Sequence, residues 1–154
     1  MQIDLIVVGK LKEKSMQQMC NEYIKRLGSY CKLNVIELKD ESNNLDEKLV
    51  ISREAEAINK VLDDKSYIII MDIDGKQMGS EEFSRKIDDI TTYDNSKITF
   101  VIGGSLGIAP EIKAKANLRM SFSKMTFPHQ LFRVMLLEQI YRQFRIAKNE
   151  PYHK

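Results

Sequence analysis

Apolar and polar positions along the chain alternate between two patterns, one typical of buried strands and one typical of amphipathic helices. Short apolar, β-branched runs predict strands over residues 2–8, 33–38, 66–73, 98–102 and 118–122. Longer mixed segments with helical spacing predict helices over residues 12–28, 47–63, 81–91, 110–116 and 129–148. The polar segment 39–46 predicts a mobile loop.

Two residues predict where helices begin. Ser80 precedes the segment 81–91 and is a favourable N-terminal capping residue, and two glutamates follow it in the first turn. Pro110 occupies the position expected of a first helical residue. Because strands and helices alternate throughout, the chain predicts a single α/β domain with a mostly parallel sheet and helices on both faces.

Composition narrows the class of protein. A length of 154 residues suits one domain, and 43% hydrophobic with 30% charged residues is typical of a folded globular chain. No apolar run approaches the roughly 20 residues that cross a bilayer, and the N-terminus lacks the basic start and cleavage site of a signal peptide. Cys20 and Cys31 match neither a metal-ligand spacing nor a disulfide framework. We therefore expect a cytoplasmic protein that neither associates with a membrane nor binds a metal.

The net charge of +2 is unevenly distributed along the chain. Residues 119–154 carry seven Lys or Arg against two acids, a local charge of +5, while the other 118 residues sum to −3. A basic C-terminal quarter indicates an anionic partner such as a phosphate backbone. A solvated helix face is the alternative that charge alone leaves open.

Three segments follow predicted strands, at the sheet edge where parallel α/β folds bind ligands. Residues 103–107 are glycine-rich, which lets backbone approach a ligand closely, but they form neither a P-loop nor a convincing dinucleotide fingerprint. Residues 71–75 contain an Asp-x-Asp-Gly stretch that lacks the later ligands of a calcium loop, so we interpret it as a turn after a strand. The third segment is 122–127.

The C-terminal quarter adds further candidates. Both histidines, His129 and His153, lie there, although a lone histidine is more often structural. The tail after Glu150 is either a frayed terminus or a segment that the substrate orders, with Tyr152 stacking on RNA. The last helix carries two apolar rows, so it is either wholly buried within the domain or also packed against a second subunit.

Three sequence blocks resemble the RlmH family of SPOUT-type RNA methyltransferases. They are IVVGKLKEK over residues 6–14, FVIGGSLG over 100–107 and, most specifically, SFSKMTFPHQLFRVMLLEQIYRQFRIAKNEPYHK over 121–154. The resemblance implies a SPOUT fold with a C-terminal trefoil knot, which general topology rules would not predict. It also implies a homodimer that uses S-adenosylmethionine to methylate N3 of a pseudouridine in 23S ribosomal RNA, with the ribosome or its RNA as partner.

The resemblance also implies which residues bind the cofactor. They fall on the strand-end segments described above and are Met71, Gly103, Phe122, Ser123, Lys124, Met125, Thr126 and Phe127. Relatives usually have Leu where this chain has Met71, a difference that backbone or apolar contacts tolerate.

Methyl transfer to a weakly acidic N3–H requires positioning and a base. His129 and His153 are both candidates for the base, and Arg133 and Arg142 are candidates for stabilising developing negative charge. Tyr152, His153 and Lys154 are the candidate substrate-binding residues. A non-enzymatic RNA-binding module is the main rival, and a small-molecule methyltransferase is another.

Overall fold

Strands and helices alternate along the chain in a computed structural model that describes residues 1–41 and 44–154. The strands are β1 (Gln2–Val8), β2 (Lys32–Leu38), β3 (Tyr67–Gln77), β4 (Lys97–Ile102) and β5 (Leu118–Ser121). The helices are α1 (Lys14–Leu27), α2 (Glu47–Val61), α3 (Ser80–Asp89), α4 (Pro110–Lys113) and α5 (His129–Ala147), with a π-helical turn at Ile90–Asp94. The predicted mobile loop 39–46 includes residues 42 and 43, which lie outside the described residues.

The described strands form one sheet in the order β2-β1-β4-β3-β5, and every pairing between them is parallel. One hydrophobic core lies between the sheet and α1, α3 and α5, and the other lies between the sheet and α2 and α4. The alternation of side chains along β1 feeds both cores, with Leu5 facing the first and Ile6 the second. This arrangement confirms the predicted α/β fold.

The segment 71–75, which we interpreted as a turn, is part of β3, so that interpretation is wrong. The strand continues to Gln77 through an irregularity in its register with β5, between Met71 and Lys76. A Cβ atom at Gly75 would lie 2.6 Å from the backbone carbon of Arg119, so only glycine allows the two backbones to approach so closely. The extension places a wall of polar residues at the sheet edge.

Helix α3 begins differently from the prediction. Gly79 is the capping residue, and it makes no side-chain cap, so the expected role of Ser80 is wrong. The Ser80 hydroxyl instead donates a hydrogen bond to Gln139 Oε1 on α5, at 2.8 Å. A tertiary contact has replaced the local one, which fixes α3 against α5.

Helix α5 packs between α1 and α3, with both of its apolar rows inside the domain. One row consists of Phe132, Leu136, Ile140 and Phe144, and its central residues Leu136 and Ile140 are 0% and 1% exposed. Both apolar rows therefore pack within the domain, as the first of the two alternatives for this helix predicts. The stripe gives no support to a dimer contact through α5, and the homodimer stays a prediction.

The tail after Glu150 packs onto α5 instead of fraying. The Tyr152 ring meets Tyr141 edge-on at a centroid distance of 5.0 Å, and its hydroxyl donates a hydrogen bond to Glu138 Oε1 at 2.9 Å. The His153 ring lies 3.1 Å from the Arg142 guanidinium. The alternative of a frayed terminus is wrong for Tyr152 and His153, because both are half-buried in the fold.

Candidate active site

The carboxyl ends of β3, β4 and β5 surround a cavity of about 580 Å³, which we call the cofactor cavity. Its walls come from residues 71–74, 102–108, 120–123 and 125–129, together with Lys113 and Phe132. The three strand-end segments that the sequence singled out therefore meet in one place, as parallel topology predicts.

Most of the residues assigned to cofactor binding line this cavity. Those that do are Met71, Gly103, Phe122, Ser123, Met125, Thr126 and Phe127. Lys124 is exposed and does not line it. Neighbouring residues lie on the wall because the segment after β5 folds tightly, with the Ser121 hydroxyl donating to the Ser123 carbonyl at 2.9 Å and Met125 N–H donating to Ser123 Oγ at 3.0 Å.

One wall of the cavity is aromatic. Phe132 of α5 packs against Phe122 at a centroid distance of 5.0 Å and stacks on Phe127 at 6.2 Å. The rim is apolar as well, because Met125 is 75% exposed and Leu106 is 38% exposed. Such a wall suits a flat, weakly polar ring.

Another part of the cavity wall is charged. The Asp72 carboxylate pairs with Lys113 at 3.2 Å and Arg119 at 3.3 Å, and it accepts a hydrogen bond from Asp74 N–H. Burial raises the pKa of Asp72, but the hydrogen bonds from Asp74 N–H and Lys113 outweigh it, and the net pKa lies below the ordinary value. Asp72 is therefore an anion at neutral pH, at the edge of the cavity.

Two glycines in the loop after β4 are fixed by close contacts. A Cβ atom at Gly103 would collide with the Ile108 side chain, where the loop folds back on itself. A Cβ atom at Gly104 would collide with the carboxyl group of Glu54 on α2. A side chain at Gly103 would therefore displace Ile108, and one at Gly104 would displace the carboxyl group of Glu54.

Glu54 is a buried acid that the sequence analysis did not select. It is 5% exposed, and burial raises its pKa above the ordinary value. A signal for it was present, because Glu54 stands between Val50 and Ile58 at i, i+4 spacing on the buried face of α2. A charged residue inside an apolar row is a reason to look for a specific contact.

Of the four candidate catalytic residues, His129 alone lines the cofactor cavity. It is the first residue of α5, and it is exposed. Arg133, one turn further on, is 4% exposed and is bound to Glu37 at 2.6 Å and to the Gly9 carbonyl at 2.8 Å. Arg133 thus ties α5 to β1 and β2, and any role of its guanidinium in catalysis stays a prediction.

Arg142 and His153 lie in a second cluster with the tail. Arg142 makes two hydrogen bonds to Glu138 Oε1, at 2.6 and 3.0 Å, and lies over the Tyr152 ring at 4.8 Å. None of these residues, nor Lys154, lines the cofactor cavity of its own chain. The structure therefore separates the cofactor candidates from the tail candidates.

Much of the basic C-terminal quarter is neutralised within the fold. Arg119, Arg133, Arg142 and Arg145 each pair with a carboxylate. The charge asymmetry of the sequence is therefore weaker on the surface than it is along the chain. Within the described ranges, no group of three or more His, Cys, Asp or Glu could hold a metal ion, and no helix is long and apolar enough to cross a membrane.

The fold and cavity define an α/β protein with a cavity at the carboxyl ends of its strands, the place where parallel α/β folds bind ligands. The chain belongs to the SPOUT methyltransferase family, because the family model described as predicted SPOUT methyltransferase matches residues 1–153.

Named relatives agree with that family. The chain is 57% identical to the ribosomal RNA large subunit methyltransferase H of Clostridium acetobutylicum and 52% identical to that of Clostridium beijerinckii, over the full length of each. Among solved structures it resembles a probable methylase family protein from Haemophilus influenzae Rd KW20, with a TM-score of 0.55 and 14% identity over 96% of this chain and 66% of that one. At that identity the likeness supports the fold alone.

Proposed function

We propose that this protein transfers a methyl group from S-adenosylmethionine to N3 of a pseudouridine in 23S ribosomal RNA. The observation that carries the proposal is the meeting of three strand-end segments around one cavity. The chain is also similar, over its full length, to proteins named ribosomal RNA large subunit methyltransferase H. Ribosomal RNA is then the partner, and the cytoplasm is the compartment where the protein acts.

The residues of the cofactor cavity fit S-adenosylmethionine. The aromatic wall of Phe122, Phe127 and Phe132 suits an adenine ring. The exposed carboxylate of Asp74 complements a sulfonium cation, and Lys113 complements a carboxylate. When bound, S-adenosylmethionine supplies an electrophilic methyl group on sulfur.

His129 is the base that this geometry favours. It is exposed at the edge of the cofactor cavity, where its imidazole would accept the proton that N3 of the acceptor loses on methylation. The rest of the contribution is positioning, because in-line displacement needs no covalent intermediate with the protein. His153 is the weaker candidate, since its ring contacts Arg142 away from the cavity.

The tail cluster of Glu138, Arg142, Tyr152 and His153 serves a second subunit in this proposal. Its residues do not line the cavity of their own chain, so they reach an active site only across a homodimer. The exposed apolar side chains of Ile73, Leu106 and Met125 at the cavity rim support such an interface.

Calorimetric titration with S-adenosylmethionine, together with a His129→Gln variant, tests the proposal. We expect wild type and variant to bind the cofactor alike, and the variant to lose about 100-fold or more in methyl transfer to ribosomes, as general-base removal does. Absence of heat with the wild type would favour a non-enzymatic RNA-binding module. Normal transfer by the variant would remove His129 from the mechanism.

A further inference from the structure

A second cavity, of about 160 Å³, adjoins the cofactor cavity on the side of β1 and β2. We call it the Glu54 cavity. It shares three residues with the cofactor cavity, namely Gly104, Ser105 and His129. The two cavities are therefore neighbours across the glycine loop, and the candidate base stands between them.

Unpartnered polar atoms mark the Glu54 cavity as a built site. Glu54 Oε2 accepts a hydrogen bond from Glu41 N–H at 3.3 Å, whereas Glu54 Oε1 has no hydrogen-bond partner in the described part of the chain. Arg133 Nε, on the other side, also lacks one among those residues, although the two Nη atoms are bound. Both side chains are more than nine-tenths buried. Buried polar groups are normally paired, so one acceptor and one donor beside this cavity lack the partner that such groups usually have.

The charges around the cavity indicate what kind of ligand fits. The cavity is lined by the acidic residues Asp40, Glu41 and Glu54 and by the basic residues Lys10, Lys12 and Arg133, so both signs of charge are present in equal number. A phosphate would be repelled by the acids, and a metal ion by the cations. A neutral ring that carries both N–H donors and carbonyl acceptors matches the mixture.

We propose that the Glu54 cavity receives the uracil-type ring of the methyl acceptor after that nucleotide has left its base stack. The proposal rests on the proposed function and adds to it a location for the acceptor. The volume of the Glu54 cavity is suited to a single pyrimidine ring. Enzymes that modify a base in structured RNA or DNA take that base out of the stack into such a pocket. Glu54 accepts a ring N–H, and the cationic side donates to a ring carbonyl.

The alternative occupant of the Glu54 cavity is the amino-acid end of S-adenosylmethionine, which carries one positive and one negative charge. The cofactor cavity has its own groups for that end, because Asp72, Asp74 and Lys113 line it. Its volume of about 580 Å³ also leaves room for the whole cofactor. The acceptor is therefore the better occupant of the Glu54 cavity.

The test compares Glu54→Gln with Glu56→Gln, two residues further along α2 and exposed, where the same chemical change touches neither cavity. A third variant, Val50→Phe, fills the cavity from its α2 wall. Calorimetry measures the affinity for S-adenosylmethionine and for methylthioadenosine, which lacks the amino-acid end. Kinetics with purified ribosomal particles measure kcat/KM, and circular dichroism checks folding.

We expect Glu54→Gln to lower kcat/KM for ribosomes by about tenfold or more while cofactor affinity stays within about twofold, and Glu56→Gln to change neither. Val50→Phe, if folded, should do the same as Glu54→Gln. Wild-type kcat/KM in Glu54→Gln would overturn the proposal. Loss of S-adenosylmethionine affinity with unchanged methylthioadenosine affinity would also overturn it, and would assign the cavity to the amino-acid end.

A measurement that needs no methyl transfer separates this proposal from the proposed function. In protein labelled at valine methyl groups, titration with pseudouridine nucleoside should shift the Val50 resonance and leave that of Val61, at the end of α2 and outside the cavity, in place. A shift at Val50 without methyl transfer would support the cavity and contradict the function. Methyl transfer with no shift at Val50 would support the function and contradict the cavity.

Discussion

Asp72 illustrates how one buried charge holds a wall of the cofactor cavity in place. Its side chain is 3% exposed, while its partners Lys113 and Arg119 are 30% and 49% exposed. The contacts tie the extended end of β3 to α4 and to β5. Removal of the carboxylate leaves two cations that water can partly solvate, which limits the cost.

We expect Asp72→Asn to lower the free energy of unfolding by about 1–2 kcal/mol at neutral pH. Since the folded pKa lies below the ordinary value, the carboxylate contributes its stability above about pH 4 and loses it as the pH falls through the folded pKa. Urea unfolding of wild type and variant at several pH values measures this. Asp74→Asn, an exposed change on the same strand, is the control. If the difference in unfolding free energy between wild type and Asp72→Asn grew on acidification, it would contradict a lowered pKa of Asp72 in the folded state.

Gly103 gives a second test at this scale, for a steric reason. A Cβ atom there meets the Ile108 side chain, so Gly103→Ala should displace the loop and weaken S-adenosylmethionine binding by about tenfold or more. The double variant Gly103→Ala/Ile108→Ala, in which the colliding side chain is shortened, should recover part of that affinity. Gly79→Ala serves as the control, because nothing lies within 4 Å of its Cβ position. Calorimetry that finds unchanged affinity in folded Gly103→Ala would remove the loop from the cofactor site.

At the scale of elements, the tail contributes to stability because it is packed. Truncation after Glu150 removes the Tyr152 ring from Tyr141 and its hydroxyl from Glu138. We expect a loss of about 1–2 kcal/mol in the free energy of unfolding. Thermal or urea unfolding measures it, and deletion of the exposed Lys154 alone is the control. Equal stability of the truncated and full chains would mean that the tail contacts are not formed in solution.

Helix α5 belongs to the core of the single domain, which changes the expected effect of charges on it. Leu136→Glu buries a carboxylate without a partner, so it should cost more than about 3 kcal/mol and unfold the chain rather than only separate subunits. Lys148→Glu, in the exposed turn after α5, is the control. Circular dichroism combined with light scattering distinguishes the outcomes. A folded monomer from Leu136→Glu would show that the row faces another subunit after all.

Most elements could be predicted from the sequence because their signals are local. Apolar runs and helical spacing located the strands and helices to within a few residues. The end of β3 could not be predicted, since Asp72, Asp74 and Gly75 disfavour strands and the backbone of β5 alone explains the glycine. The pairing of Arg133 with Glu37 could not be predicted either, because the two residues are distant in sequence. The same holds for the contact of Tyr152 with Glu138, which lies on α5 several turns before the tail.

At the scale of the whole molecule, topology decides where the chemistry is. Three segments that are far apart in sequence meet because parallel strands end at the same edge of the sheet. That rule predicts from the sequence that these segments meet at one cavity. It did not reveal Glu54, which reaches the site from α2, nor the separation of the tail cluster from the cavity. The trefoil knot and the homodimer stay predictions.

Mapping of the methylated nucleotide tests the central claim most directly. Large ribosomal subunits that lack the modification are incubated with the protein and isotopically labelled S-adenosylmethionine, and the 23S RNA is digested and analysed by mass spectrometry. We predict one labelled methyl group, on N3 of a pseudouridine. No label in the RNA, or label on a different kind of nucleotide, would contradict the function proposed for this cavity.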